Sequence, residues 1–138
     1  MVRPVALLLV VGMGVSACAS LPVVVRFKNN SSEDFTHLDG HILDKAFAFD
    51  SLPRGHTTGA VVVPESYYYC LMRVVTKIDT LHFRPIDYVG EKCYTRGNLT
   101  IEVSIDSAKN RSGHLVRYIT LDAARGRLIR HLKQAIRP

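Results

Sequence analysis

The chain has 138 residues, 47% of them apolar, with 18 lysines and arginines against 12 aspartates and glutamates, for a formal net charge of +6. That apolar fraction excludes a disordered chain, and six prolines with nine glycines exclude a collagen-like or low-complexity one. The length fits one domain, and the positive charge would point to nucleic acid only if it were spread over that domain.

Met1 to Ala17 reads as an export signal rather than as part of the fold. Arg3 supplies the positive start, Val5 to Val11 is an unbroken apolar run, and Ser16 and Ala17 are small residues placed for cleavage. The run falls short of the roughly 20 apolar residues that a membrane-spanning helix needs. Its end, Val15-Ser16-Ala17-Cys18, resembles the lipobox of bacterial lipoproteins. The resemblance implies that Cys18 carries lipid on its sulfur, becomes the mature N-terminus and is acylated there. Ala19 stands where an aspartate would favour retention at the inner membrane. By the same resemblance the protein is expected on the outer membrane, lipid-anchored and facing the periplasm. Two other outcomes stay open: cleavage after Ala17-Cys18-Ala19, releasing a soluble secreted chain, or an uncleaved anchor. Removing residues 1–17 leaves 121 residues, enough for one core. The expected organisation is a signal peptide over 1–17, a lipidated tether over 18–21, a β domain over 22–121 and a basic amphipathic segment over 122–138.

With Cys18 lipidated, Cys70 and Cys93 remain as a pair. In an oxidising compartment a disulfide is the default, and closing a loop of this length stabilises a fold by roughly 3 kcal/mol. Two free thiols or half of a metal site are the alternatives. The chain has no Cys-x-x-Cys spacing of a structural zinc site.

The mature chain reads as a series of short strands. Leu21 to Lys28 is rich in β-branched residues and ends at the turn signal Asn29-Asn30-Ser31-Ser32. Phe35 to Leu43 is a more polar strand, and Ala46 to Leu52 alternates around Phe47 and Phe49 before Pro53-Arg54-Gly55 breaks it. Thr57 to Val63 stops at Pro64. Tyr67 to Thr76 carries the strongest strand pattern, and Leu81 to Phe83 is short. Asn98 to Ile105 places Leu99, Ile101, Val103 and Ile105 on one face. Arg111-Ser112-Gly113 turns the chain into a last strand, His114 to Leu121.

This spacing predicts an all-β fold, an antiparallel sandwich. The strands around the Leu52 to Gly55 turn are similar to small immunoglobulin-like domains of exported bacterial proteins. Arg84-Pro85-Ile86-Asp87-Tyr88-Val89-Gly90-Glu91, with Gly97-x-x-Thr100-Ile101, resembles a module of uncharacterised bacterial lipoproteins. The resemblance implies an immunoglobulin-like β-sandwich and no particular activity. After it, Asp122 is placed to N-cap a short C-terminal helix over Ala123 to Ile136. Leu128, Leu132, Ala135 and Ile136 fall on one side of that helix. Arg125, Arg127, Arg130, Lys133 and Arg137 surround them.

Several constellations could carry chemistry. His37, Asp39 and His41 share one face of a strand and could ligate a divalent metal, or simply form the wet face of an edge strand. Asp87 and Glu91 could do acid–base work, although Pro85 and Gly90 make a turn role the simpler reading. Ser66, Ser104 and Ser107 lack a nucleophile-elbow context, and His56 and His114 have no visible partner. Tyr67, Tyr68 and Tyr69 could stack on a sugar or peptide, or pack at the core rim. The basic helix could contact anionic lipid, lipopolysaccharide or an acidic envelope protein.

The expectation is therefore a non-enzymatic, lipid-anchored binding or structural module without a cofactor. The alternatives are an inhibitor- or ligand-binding β lipoprotein and a metal-binding protein using His37, Asp39 and His41. Ser112-Gly113 followed by Tyr118 departs from the spacing of membrane-bound lysozyme inhibitors, and a basic chain is a poor match for a basic enzyme. Eight of the basic residues lie in 109–138 against one carboxylate, Asp122, so the body is close to neutral and nucleic acid is not expected.

Overall fold

The computed structural model describes residues 21–124. They form an all-β domain of eight strands: β1 (Val23–Asn29), β2 (His37–Ile42), β3 (Lys45–Phe49), β4 (Val61–Val63), β5 (Leu71–Val75), β6 (Thr80–Phe83), β7 (Gly97–Lys109) and β8 (Leu115–Ala123). One sheet has the order β4-β1-β7-β8 and the other β3-β2-β5-β6. All pairings are antiparallel except β1 with β7, which run parallel from Val23 opposite Gly97 to Asn29 opposite Val103. The wholly antiparallel expectation is corrected at that pair. Some 67 residues separate the two strands, and the long intervening path lets β7 return in the same direction as β1.

The two sheets face each other across one core. Strict alternation along β1 turns Val23, Val25 and Phe27 inward. Phe27 stacks on Phe47 of the opposite sheet at a centroid distance of 4.4 Å, with Phe49 edge-on at 6.4 Å. Leu38, Ile42, Met72, Val74, Ile101 and Val103 complete the centre. Burying such side chains contributes roughly 1.5–3 kcal/mol each and is the main source of stability.

Strand boundaries differ from expectation where tertiary contacts decide. Tyr67–Cys70, predicted as the start of the strongest strand, lies in the loop before β5; Ser66 instead bridges to Tyr94. β7 runs on to Lys109, well past the end of β1, so β7 and β8 project as a two-stranded arm. Its tip is closed by Asn110, whose Oδ1 accepts from the amides of Ser112 (3.0 Å) and His114 (2.9 Å), with Gly113 at φ 79°. β8 continues through Asp122 and Ala123, which pair with Glu102 and Ile101. Asp122 is therefore a ladder residue and not a helix cap. No helix occurs among the described residues, and the rest of the expected helix, 125–136, lies outside them.

The topology gives the domain two distinct ends. At one end lie the start of β1, the end of β4, the β2–β3 turn at 43–44, and the loops 64–70 and 84–96. At the other lie the β1–β2 loop and the β5–β6 turn. There Asn29, with 0% exposure, donates through Nδ2 to the carbonyls of Glu33 (2.7 Å) and Leu52 (2.9 Å) and accepts from Ser31. The Asn-Asn-Ser-Ser turn signal is thus organised by a buried asparagine that satisfies backbone groups the loop would leave bare.

Candidate functional site

The outer face of the β3-β2-β5-β6 sheet carries a connected polar network. Strand alternation turns His37, Asp39 and His41 outward from β2, and the register sets Asp39 beside Arg73 of β5 and Arg73 beside His82 of β6. Asp39 accepts from Arg73 Nε at 3.1 Å and also from its Nη2. His37 Nε2 lies 2.7 Å from the same carboxylate, and His37 Nδ1 lies 3.7 Å from Asp50. The Arg73 guanidinium, aided by His37, holds the Asp39 carboxyl below its ordinary range, and Asp39 in turn raises Arg73. Gly40, next in β2, lets the strands approach closely: a Cβ there would lie 1.9 Å from the Leu71 carbonyl oxygen. Beside it is a shallow depression of about 350 Å³ edged by His41, Arg73, His82 and Arg84, with Asp39 the only carboxylate. Donors outnumber acceptors there, so the chemistry suits an anionic group.

The metal triad held open as an alternative does not assemble. His41 sits opposite Leu71 and Ala46, two register positions beyond the Asp39–Arg73 pair. Asp39 already faces a guanidinium, whose charge opposes a metal ion. Among the described residues no three His, Cys, Asp or Glu side chains converge to hold a metal.

Tyr68 and Tyr69 edge a depression of about 360 Å³ beside Asn30 and the outward residues Glu102, Ser104, Thr120 and Asp122 of β7 and β8. Tyr67, Tyr68 and Tyr69 lie in a loop, so strand alternation does not separate them: Tyr67 stacks on Tyr88 at 4.5 Å, while Tyr68 contacts Tyr69 at 3.9 Å. The stack on Tyr88 covers one face of Tyr67. Lys92 Nζ stands 4.9 Å from the centre of the Tyr94 ring. Burial raises the phenol of Tyr68, helped by Tyr69 and Glu91, and nearby Cys93 raises that of Tyr67.

Cys70 and Cys93 are both free thiols in the structure, against the expected bridge. Cys70 is sealed in the core at 0% exposure, and burial pushes its thiol up to about 12. Cys93 is half-buried, with Sγ 3.7 Å from Glu65 Oε2. The remaining candidates have local roles. Asp87 Oδ1 accepts from the Val89 amide at 3.2 Å, and buried Ser66 donates to the Tyr67 carbonyl at 2.8 Å. Ser104 and Ser107 lie in the β7 ladder opposite Thr120 and Arg117, the His56 amide donates to the Pro53 carbonyl, and His114 closes the arm. Cys18 and the basic residues Arg125, Arg127, Arg130, Lys133 and Arg137 lie outside the described residues.

One cluster was not anticipated. Arg117 of β8 turns inward, holds Glu33 of the β1–β2 loop through Nη2, and lies 3.0 Å from Asp79 of the β5–β6 turn through Nη1. Its signal in the sequence is a charge in step with the apolar residues Ile119 and Leu121. Comparisons with protein-family models, curated proteins and solved structures found no match.

Proposed function

We propose that this chain is a non-enzymatic, lipid-anchored module of the bacterial envelope, built on an immunoglobulin-like β-sandwich that presents a binding arm away from its membrane. The lipobox-like Val15-Ser16-Ala17-Cys18 supports the anchor. The observation that carries the reading is that the start of β1 and the tip of the β7–β8 arm lie at opposite ends of the domain. Cys18 is five residues from Val23, a tether of at most about 18 Å. β7 alone spans roughly 40 Å at strand rise. A domain tethered at Cys18 therefore holds Leu115, Val116 and Tyr118, which are exposed on the arm, far from the bilayer and open to a partner. The polar sheet face, with Arg73, Arg84, His41 and His82, offers a second contact for anionic groups.

Mass analysis of the native N-terminal peptide tests the anchor. A lipidated, acylated Cys18 peptide is the expected result. A peptide beginning at Ser20 without lipid overturns it in favour of a soluble exported protein.

A further inference from the structure

Apart from Val62 and Leu71, which lie within strands β4 and β5, the exposed large apolar side chains of the described residues lie at the two ends of the domain. Ile78, Leu115, Val116 and Tyr118 lie toward the arm. The other group is Leu21 at 69% exposure, Leu43 at 36%, Ile86 at 100% and Val89 at 88%. These four stand where the chain enters β1, in the β2–β3 turn and in the loop 84–96, all at the same end.

Three features set this end apart. Residues 84–96 form the longest connection between strands that has no strand of its own beyond the Tyr94 bridge, and such long loops in compact domains are commonly functional. Its apolar side chains are presented, not tucked in: Asp87 caps the Val89 amide and Gly90 takes φ 78°, so the turn holds Ile86 and Val89 outward on a formed loop. Leu43 has φ 51°, a left-handed conformation that glycine or asparagine would adopt with less strain. In that strained position at the tip of the β2–β3 turn, Leu43 keeps about a third of its side chain exposed.

The chain's own path supplies the partner. Cys18 precedes Leu21 by three residues, so a lipid on it is brought to this end. β8 also runs toward this end, where the Ala124 amide donates to the Thr100 carbonyl at 3.0 Å. The chain beyond it carries Arg125, Arg127, Arg130, Lys133 and Arg137 without a carboxylate side chain. Apolar tips thus project from the end where the chain enters β1 and leaves β8, and the sequence flanking the domain is lipobox-like before it and basic after it, a combination that suits an anionic bilayer interface.

We infer that the end formed by the 43–44 turn and the 84–96 loop is a membrane-docking face, with Ile86, Val89 and Leu43 inserting into the bilayer that holds the lipid anchor. This deepens the anchored reading and rests on it for orientation. Docking fixes the domain upright, so that the arm points away from the membrane instead of swinging on a loose tether.

The chain contains no tryptophan, so a single substitution gives a clean fluorescent reporter. Ile86→Trp and Leu115→Trp proteins are purified from membranes as full chains and placed in phosphatidylcholine–phosphatidylglycerol vesicles with brominated acyl chains. Ile86→Trp emission is expected to fall by about half or more, and Leu115→Trp emission to stay unchanged, as fits shallow burial at the acyl boundary. In a Cys18→Ser background, Ile86→Asp with Val89→Asp is expected to weaken vesicle binding about tenfold or more. Both positions are exposed, and circular dichroism confirms that the variants fold. A lipidated protein that floats with vesicles while Ile86→Trp stays unquenched overturns docking and leaves the anchor standing. An unlipidated Cys18 overturns the anchor, and docking is then decided by whether Ile86→Trp is quenched when the chain is added to vesicles. Equal quenching at positions 86 and 115 overturns the orientation.

Discussion

Arg117 Nη1 lies 3.0 Å from Asp79 Oδ2, joining strand β8 to the β5–β6 turn of the opposite sheet. The geometry is that of an ion pair and falls short of an aligned hydrogen bond. The same guanidinium holds Glu33 through Nη2, so one side chain ties three segments together where the sheets meet beyond the apolar core. All three side chains are less than a third exposed, which makes the cluster stronger than a surface pair and weaker than a fully buried one.

Replacing Arg117 by alanine leaves two carboxylates at that seam without their shared cation. The expected loss is about 2 kcal/mol in urea unfolding, with Arg117→Lys recovering part of it. A loss below about 0.5 kcal/mol would show that the cluster contributes nothing measurable.

Gly40→Ala sets a methyl group 1.9 Å from the Leu71 carbonyl oxygen, which is backbone and cannot swing aside. The β2–β5 pairing must open to admit it. A destabilisation of about 3 kcal/mol is expected from thermal unfolding, and an unchanged melting temperature would refute the close approach.

The folded Asp39 carboxyl sits below its ordinary value of 3.8, first because of Arg73. A depressed acid contributes stability that is fully present above its unfolded value and is lost as the pH falls through the folded one. The stability difference between the native chain and Asp39→Asn should therefore be flat at neutral pH and shrink below 3.8. A difference that shrinks instead on raising the pH from neutrality would reverse the assignment.

Thiol labelling separates the two cysteines. Cys93 is expected to react in the native state, and Cys70 only on unfolding, because its core position both shields it and keeps it protonated. Denatured, unreduced protein should show both thiols of the domain. Finding neither would restore the bridge expected from cysteine arithmetic.

Leu43→Gly should stabilise the domain by about 1 kcal/mol by relieving the positive φ, while weakening its association with vesicles. Opposite signs in the two measurements are the signature of a residue kept for its surface and not for the fold. A variant that gains stability and binds vesicles as tightly as before would remove Leu43 from the docking face.

Much of the body was legible one strand at a time. Alternation in Leu99, Ile101 and Val103, and the paired Phe47 and Phe49, identified inward faces because a half-buried sheet imposes a period of two on its own residues. The tyrosine run misled for the same reason. Aromatic residues favour strands in general, yet Tyr67–Cys70 is drawn off the ladder by the Ser66–Tyr94 bridge, a contact 28 residues away. Asp122 misled too: its capping chemistry is local, but Glu102 across the β7–β8 ladder engages its backbone first. The His37–Asp39 proximity was readable from spacing, whereas Arg73, which makes that carboxylate a poor metal ligand, enters only through register with β5.

The net charge shows the same division. By itself the sequence determined that the body is all-β, that its core alternates and that its positive charge lies in the last thirty residues, because periodicity and composition are local properties. Only the tertiary structure decided that β1 and β7 run parallel, that Arg117 clamps Glu33 and Asp79, and that the chain's two outer segments leave the domain from the end that exposes Ile86 and Val89. Those are relations between residues far apart in the chain, set by which strands pair and in which register, and no local pattern encodes them.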